Sequence, residues 1–339
     1  MSLSFIVSLF FFASCSKNNN AGNQNILPTD LNVAAVVSTD NSGNVAFTAT
    51  AKNASSFEYD FGNGVFQNVA SGAVTYKYPA SGNYDVKVTA KSSTGQTISK
   101  TIQVNVTVAL TLAWSDEFNT AGAPDPAKWG NDIGTGGGGW GNNELQYYTN
   151  RPENASVSNG TLKITAKKEA FSGSAYTSAR LLTKNKFTTK YGKIEAKIKL
   201  PSGVGTWPAF WMLGSNIDAV GWPACGEIDI MEHKGSDENR VYGTLHYPGR
   251  SGGNADGLTK VVQNVTTEFH VYAVEWTPAT IKISVDGTVF YTYNNKPDSP
   301  FNQNFFIILN FAMGGTFGGP VDPAFTTATM EVDYVRVYN

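Results

Sequence analysis

The chain has few charged residues, few cysteines and few histidines. Charged residues make up 15% of its 339 residues and the formal net charge is −2, so there is no surplus of Lys and Arg to neutralise phosphates. Nucleic acid is therefore not an expected partner. Two cysteines cannot form a disulfide framework, and together with three histidines they show no zinc-ligand spacing. The sequence also lacks a Walker A loop, which excludes a P-loop nucleotide site.

Glycine, aromatic and other hydrophobic residues are abundant. The chain holds 34 glycines, 12% aromatic residues and 41% hydrophobic residues. This composition predicts an all-β protein with many turns, and it is incompatible with disorder over most of the chain. The length predicts two domains and a short leader. Glycans remain the obvious class of partner, because aromatic rings and carboxylates are the side chains that meet them.

The first 15 residues read as an export signal. They contain an apolar run that is too short to span a bilayer and ends in small residues before Cys15. Residues 12–15 resemble a bacterial lipobox, which implies that Cys15 is lipidated and anchors an exported protein to a bacterial membrane, at the cell surface or in the periplasm. The alternative is an ordinary signal peptide that contains a cysteine. The segment departs from the usual pattern because no Lys or Arg precedes the apolar run. Residues 16–27 are Asn-rich and predict a flexible tether.

Residues 28–108 alternate with period two and are punctuated by turns, which predicts a small β-sandwich. Residues 59–64 read YDFGNG and resemble the WDFGDG signature of PKD domains. Residues 76–78 and 81–86 resemble the second block of that family. The resemblance implies an Ig-like fold that serves as a spacer, or alternatively as a module that binds glycan or protein.

Residues 111–339 show strand-like alternation throughout and no convincing helical periodicity. An Asp286–Gly287 pair between two alternating runs predicts a type I′ hairpin. About 230 residues of antiparallel strands in one domain predict a large sandwich or jelly roll.

The chemically informative segment is residues 227–232, which read EIDIME. Strict alternation places Glu227 and Asp229 on one face of a strand and turns Glu232 toward the core. A β-bulge near residues 230–231 restores the phase, so that all three acids share a face. The two glutamates are then about 13 Å apart at Cα, and their carboxyls are able to meet at about 5 Å, the spacing of retaining glycosidases. The alternative is an edge strand with solvated acids.

This segment resembles the ExDxxE signature of glycoside hydrolase family 16 in its laminarinase-like form, and further blocks extend the resemblance over residues 111–339. It implies a β-jelly roll with a concave cleft and retaining endo-hydrolysis of a β-glucan. With the chemistry of paired carboxyls, it makes Glu227 the nucleophile and Glu232 the acid/base, with Asp229 between them tuning their ionisation.

Six further residues are candidates for binding the sugar chain. Trp207, Trp211 and Trp222 are predicted sugar platforms, with core packing as the alternative. The resemblance adds the polar residues Asn142 and Arg180, although an arginine also suits a surface ion pair. His246 either lines the cleft or is a satisfied core histidine.

No cofactor is expected for catalysis. The resemblance implies a structural Ca²⁺ held by Glu117, the Gly160 carbonyl and Asp333, since hard oxygen ligands suit this ion. The leading hypothesis is a monomeric, lipid-anchored endo-β-1,3-glucanase that acts on laminarin-like glucans and meets the membrane only through its anchor. The alternatives are a mixed-linkage β-1,3-1,4-glucanase and a non-catalytic surface protein that binds glycans.

Overall fold

The computed structural model describes residues 26–339, which are built almost entirely of β-strands. This confirms the predicted all-β class. The chain divides into two compact units, one ending at Thr107 and the other running from Val108 to Asn339. Within the described range, no helix is long and apolar enough to cross a membrane. The predicted signal segment, Cys15 and all but the last two residues of the predicted tether lie outside the described residues.

The first unit is a sandwich of a three-stranded sheet, in the order β1-β2-β5, and a four-stranded sheet, in the order β4-β3-β6-β7. The strands are β1 (Thr29–Val37), β2 (Asn44–Lys52), β3 (Ser56–Asp60), β4 (Phe66–Val69), β5 (Ala73–Lys77), β6 (Gly82–Lys91) and β7 (Thr97–Val106). Alternate residues of β2 and β6 are buried, as period-two patterning requires.

The YDFGNG segment forms the end of β3 and the turn after it. Tyr59 and Phe61 are fully buried and contact Phe47 of the facing sheet. Gly62 has a positive φ of 77°, and a Cβ there would lie 2.6 Å from the carbonyl oxygen of Asp85. A glycine is therefore required at this turn.

The second unit stacks a ten-stranded sheet on a seven-stranded sheet. The first follows the order β10-β13-β12-β24-β15-β20-β21-β22, with β11 paired to β12 and β8 paired to β24; the second follows β19-β18-β17-β16-β23-β14-β9. The strands are β8 (Leu112–Asp116), β9 (Gly130–Asp132), β10 (Gln146–Tyr148), β11 (Ala155–Ser158), β12 (Thr161–Phe171), β13 (Ser174–Ser178), β14 (Arg180–Leu182), β15 (Gly192–Lys199), β16 (Thr206–Gly214), β17 (Glu227–His233), β18 (Arg240–His246), β19 (Asp256–Val261), β20 (His270–Trp276), β21 (Thr280–Val285), β22 (Thr288–Asn294), β23 (Phe305–Met313) and β24 (Thr327–Tyr338).

Helical structure in this unit is limited to single turns. These are α1 (Ile217–Val220), α2 (Gly315–Gly318) and two 3₁₀ turns, Gly252–Asn254 and Pro300–Asn302. The predicted hairpin joins β21 to β22, and both Asp286 and Gly287 have positive φ, as a type I′ turn requires.

The main hydrophobic core lies between the two sheets. Strand β17, the third strand of the seven-stranded sheet, contributes Ile228, Ile230 and Met231 to it. The other face of the seven-stranded sheet is called the open face here; it is the face that carries Glu227. Strand β16 lies between β17 and β23, and all nine residues of β23 are buried. This rigid, packed floor holds the side chains of the open face in place.

Candidate active site

A β-bulge in β17 places the three acids on the open face. On the β16 side, Asp229 is paired with Trp211 while Met231 is paired with Phe210, so Ile230 has no partner. On the β18 side, Asp229 is paired with Thr244 and Glu232 with Tyr242, so Ile230 and Met231 together face one residue. The two bulge residues are buried in the core, and the predicted bulge is confirmed.

Contacts across the sheet show that the acids share this face. His246 and Thr244 are two residues apart on β18 and therefore point the same way. His246 Nε2 lies 3.2 Å from Asp229 Oδ2 and 3.8 Å from Glu227 Oε1. Thr244 Oγ1 donates to Glu232 Oε2 over 3.3 Å. Glu227 and Glu232 are paired with Leu213 and Ala209 of β16, four positions apart, which matches the predicted spacing along the strand.

Each of the two outer carboxyls accepts a hydrogen bond from an indole. Trp222 Nε1 donates to Glu227 Oε2 over 2.8 Å, and Trp207 Nε1 donates to Glu232 Oε1 over 3.0 Å. The two tryptophans differ in setting, because Trp222 is 49% exposed in the loop before β17 whereas Trp207 is 9% exposed within β16. Trp222 therefore offers an open ring face, and Trp207 offers little ring surface for a sugar.

His246 lines the site and does not enter the core. Its Nδ1 accepts a hydrogen bond from the backbone amide of Gly252 over 3.1 Å, so the neutral ring carries its hydrogen on Nε2. That nitrogen faces Asp229 and Glu227, and one atom from each of these three residues lies within 4.8 Å of the others. The group is compact enough to surround a cation, and Asp229 Oδ2 has no hydrogen-bond partner among the described residues. Because two of its three members are carboxyls of the bulged strand, we assign it to carboxyl chemistry.

Burial raises the pKa of all three carboxyls. The pKa of Glu227 lies well above its usual value because of burial and then the charge of Asp229, opposed by His246 and the Trp222 N–H. The pKa of Asp229 also lies well above its usual value, because of burial and then the charge of Glu232. Burial raises the pKa of Glu232, opposed first by the Trp207 N–H. Like charges this close titrate as a set, so the site favours keeping a proton, which a general acid needs.

Arg180 lies between two tryptophans on the open face. Its guanidinium is 4.6 Å from the ring centroid of Trp140 and 4.8 Å from that of Trp211. Its Nε is 3.0 Å from a carboxylate oxygen of Asp132, which is its partner across the β14–β9 ladder. The predicted alternative of an ion pair is therefore realised, but at a half-buried position beside a predicted sugar platform.

A chain of hydrogen bonds runs from Trp211 toward Asn142. Trp211 Nε1 donates to Asn310 Oδ1 over 2.7 Å, and Asn310 Nδ2 donates to the Tyr148 hydroxyl over 2.9 Å. Tyr148 in turn donates to Glu144, which also accepts from Asn142 Nδ2 over 3.2 Å. The orientation of the Trp211 ring is thus tied to the loop that carries Asn142.

Comparison with known proteins accounts for this arrangement. Residues 142–336, which include the bulged strand and all three acids, match the family model of glycosyl hydrolases family 16. The chain belongs to glycoside hydrolase family 16. A second model, for the beta-glucan synthesis-associated proteins SKN1/KRE6/Sbg1, matches residues 50–228; that range ends before Asp229 and Glu232.

Relatives of this glycoside hydrolase cover about two thirds of its length. A beta-glucanase from Rhodothermus marinus is 47% identical over 243 residues, which cover 67% of this chain and 84% of the relative. The solved laminarinase from Rhodothermus marinus has 48% identity and a TM-score of 0.65, covering 68% of this chain and 98% of that one. The laminarinase catalytic domain from Thermotoga petrophila has 43% identity and a TM-score of 0.64, with coverage of 68% and 98%. These likenesses confirm the jelly-roll fold of the laminarinase type.

The predicted site residues of this family 16 enzyme come together in two groups. Strands β16, β17 and β18 and the loop before β17 bring together the acids, Trp207, Trp222 and His246. Trp211, Arg180 and Asn142 are linked to one another through the Arg180 stack and the hydrogen-bond chain. His233, the residue after Glu232, is buried away from the site and contacts the carbonyl of Glu238, as alternation predicts.

Several open-face residues were not predicted as site residues. Beyond Glu232, the Phe317 ring lies 5.2 Å from Trp207 and 5.0 Å from Tyr242, and Lys234 lies over both Phe317 and Tyr242. Asn310 was also missed. Its signal in the sequence is clear, because it is the one polar residue in the apolar strand β23, and a buried amide needs partners.

The predicted calcium donors lie on neighbouring segments of the other sheet. Both carboxylate oxygens of Glu117 accept from Arg336, at 3.0 and 2.8 Å, and Asp333 forms an ion pair with Lys197 at 2.7 Å. Gly160 is in the turn between β11 and β12. As the side chains stand, both carboxylates are neutralised by cations and do not fit a ready Ca²⁺ site. The calcium site stays a prediction.

Proposed function

We propose that this family 16 enzyme is an endo-β-1,3-glucanase that cleaves laminarin-like glucans with retention of anomeric configuration. The observation that carries the proposal is the bulged strand with three buried carboxyls on one face, the outer two each held by an indole N–H. The likeness to laminarinases, at 43–48% identity over 68% of the chain, supports the proposed substrate class.

The proposed chemistry is a double displacement. Ionised Glu227 attacks the anomeric carbon of the sugar while Glu232 gives its proton to the glycosidic oxygen, so that the bond breaks and the reducing-end fragment leaves. The covalent glycosyl-enzyme is then attacked by water, from which Glu232 takes a proton, and Glu227 departs as a carboxylate. Both acids return to their initial state, and the released end has the β configuration.

Asp229 and His246 are placed to compensate for the change of charge on Glu232 during these steps. When Glu232 loses its proton, a second negative charge appears beside Asp229 in a buried place, which is costly. His246 Nε2 lies 3.2 Å from Asp229 Oδ2, and the imidazole is close enough to offset that charge. We assign Asp229 the role of tuning the two glutamates.

The sugar chain is proposed to lie across the open face. Trp222 presents an exposed ring beside Glu227, and the C–H face of a pyranose fits such a ring. The Trp211–Arg180 stack and the amide of Asn142 offer a second region of apolar surface and hydrogen-bond donors. An elongated substrate would contact both, as endo-acting cleavage requires.

The test is hydrolysis of laminarin, lichenan and agarose side by side, measured as release of reducing sugar. We expect the fastest release from laminarin. Faster release from lichenan would favour the mixed-linkage alternative, and no release from any substrate would favour a surface protein that only binds glycan. The intact set of three acids argues against that last alternative, because a pure binder has no need of it. Proton NMR of the first product is expected to show the β anomer, and an α anomer would refute retention.

The predicted lipid anchor at Cys15 is also part of the proposal. The anchor would tether the enzyme to a bacterial membrane, at the cell surface or in the periplasm. We propose in addition that the enzyme is a monomer and that its PKD-like first unit is a spacer. The support for this part is the sequence of residues 1–27 and the separate core of the first unit.

A further inference from the structure

The two indole N–H groups of the site are placed where they affect the carboxyls rather than the sugar. Trp222 and Trp207 approach from different directions, one from the loop before β17 and the other from β16. Each uses its single N–H on one carboxylate oxygen, at 2.8 and 3.0 Å. An indole whose N–H already serves a carboxyl does not offer that hydrogen to a sugar hydroxyl.

We propose that these two indoles are positioning residues, each of which orients one outer carboxyl and holds its ionised form. Trp222 holds Glu227 and Trp207 holds Glu232. The proposal rests on the proposed function, because it assigns to each indole a share in the protonation state of the nucleophile or of the acid/base.

The surroundings of Glu227 leave Trp222 as its sole indole donor among the described residues. The groups that face this carboxyl are Asp229 on the same strand, His246 on β18 and Glu232 farther along β17. Its neighbour on β16 is the apolar Leu213. The nearby Cys225 thiol is protonated, because burial raises its pKa to about 11.

Glu232 has two donors of unequal strength. Trp207 donates over 3.0 Å and Thr244 over 3.3 Å, so the indole bond is the stronger. Asp229, Glu227 and His246 are the charged or titratable groups that act on this carboxyl, and Tyr242 is its partner on β18.

The two bonds have separable effects on the pH profile of kcat/KM. A donor to an ionised carboxylate favours the charged form, so removing the donor raises the pKa of that carboxyl. The nucleophile must be ionised and therefore sets the acidic limb, whereas the acid/base must be protonated and sets the basic limb. Loss of the Trp222 N–H is expected to move the acidic limb to higher pH. Loss of the Trp207 N–H is expected to move the basic limb to higher pH.

The test compares Trp222→Phe and Trp207→Phe, which keep an aromatic ring and lose the N–H. The matched control is Trp211→Phe, because the Trp211 N–H is bonded to Asn310 and touches no carboxyl of the trio. We expect kcat to fall about tenfold in the two test variants, as for loss of one hydrogen bond to a charged group, with each limb displaced as described. The control is expected to change KM and to leave both limbs in place.

A second variant covers the case in which Trp207→Phe does not fold, since Trp207 is largely buried. Thr244→Val removes the weaker donor to Glu232 with little change of shape and is expected to move the basic limb in the same direction by a smaller amount, while Thr244→Ser restores it. Circular dichroism confirms folding of each variant.

The outcomes are distinguishable. If Trp222→Phe and Trp207→Phe raise KM and leave both limbs of the pH profile of kcat/KM in place, the proposal is overturned and both indoles are sugar platforms. If Trp222→Phe moves the basic limb and Trp207→Phe moves the acidic limb, the positioning role is supported and the assignment of nucleophile and acid/base is overturned. If the unmodified enzyme does not cleave laminarin, the proposed function itself is refuted.

Discussion

Deletion of Met231 is expected to leave an active enzyme, because the bulge is the one irregularity that separates the acids from a regular ladder. Asp229 is paired with Trp211 and Glu232 with Ala209, and one residue of β16, Phe210, lies between these partners. On β18 the same two acids are paired with Thr244 and Tyr242, again with one residue between. With Met231 removed, Ile230 fills the single remaining position on both sides and no other pairing moves.

The cost of this deletion is the lost core side chain. Met231 is fully buried, and removing a buried methionine side chain costs about 2–5 kcal/mol. For a domain of this size each kcal/mol lowers the melting temperature by about 2–4 °C, which gives about 4–20 °C in total. Met231→Ala is the matched control, because it makes a similar cavity and keeps the bulge. We expect both variants to fold with similar melting temperatures and to hydrolyse laminarin.

Insertion of one alanine after Met231 is the opposite perturbation. Regular alternation then keeps Glu232 on the open face but moves it two residues along the ladder, so the glutamates are about 20 Å apart at Cα instead of about 13 Å. If the bulge persists, Glu232 turns into the core, where a carboxylate is costly. Either result separates the carboxyls, and we expect no hydrolysis. The assay is reducing-sugar release with circular dichroism, and a folded, inactive deletion beside an active insertion would refute this account of strand phase.

Three further predictions concern the rest of the chain. Glu227→Gln is expected to lose nearly all turnover while still binding laminari-oligosaccharides in calorimetry, since Trp222 and Arg180 remain; undiminished turnover would remove Glu227 from the mechanism. A chain beginning at Thr111 is expected to fold and to cleave soluble oligosaccharides, because the second unit has its own core; loss of turnover there would show that the first unit serves the cleft. Cys15→Ala is expected to move the protein from the membrane fraction to the soluble fraction on centrifugation, and continued membrane association would contradict the lipobox interpretation.

The class of fold and the position of the bulge were predictable because both depend on local patterning. Period-two alternation with turn residues determines which faces are buried, and the phase conflict at Glu232 points to one extra residue. The Asp286–Gly287 turn was equally local. These features follow from the order of residues along one strand or one hairpin.

The partners of the acids were not predictable in the same way. That Trp207 gives its N–H to Glu232 depends on the register between β16 and β17, and that Gly252 fixes the hydrogen of His246 depends on a loop closing back on its strand. The first contact joins residues 25 positions apart and the second closes a loop over six positions, and neither has a signal at either residue alone. The stack of Arg180 between two tryptophans has the same origin, since one of them comes from a loop and the other from a different strand.

Cys225 makes the local stability of the apolar cluster beside Glu227 measurable in the enzyme as it stands. It is the one cysteine in residues 26–339, it has no exposed surface, and it packs with Leu213 and Ile308 two residues before Glu227. A thiol that is covered and protonated reacts with an alkylating reagent only while its surroundings are open. The rate of its alkylation, in a Cys15→Ala background, thus reports how often this apolar cluster beside Glu227 opens, and a bound oligosaccharide should slow that rate in proportion to its affinity.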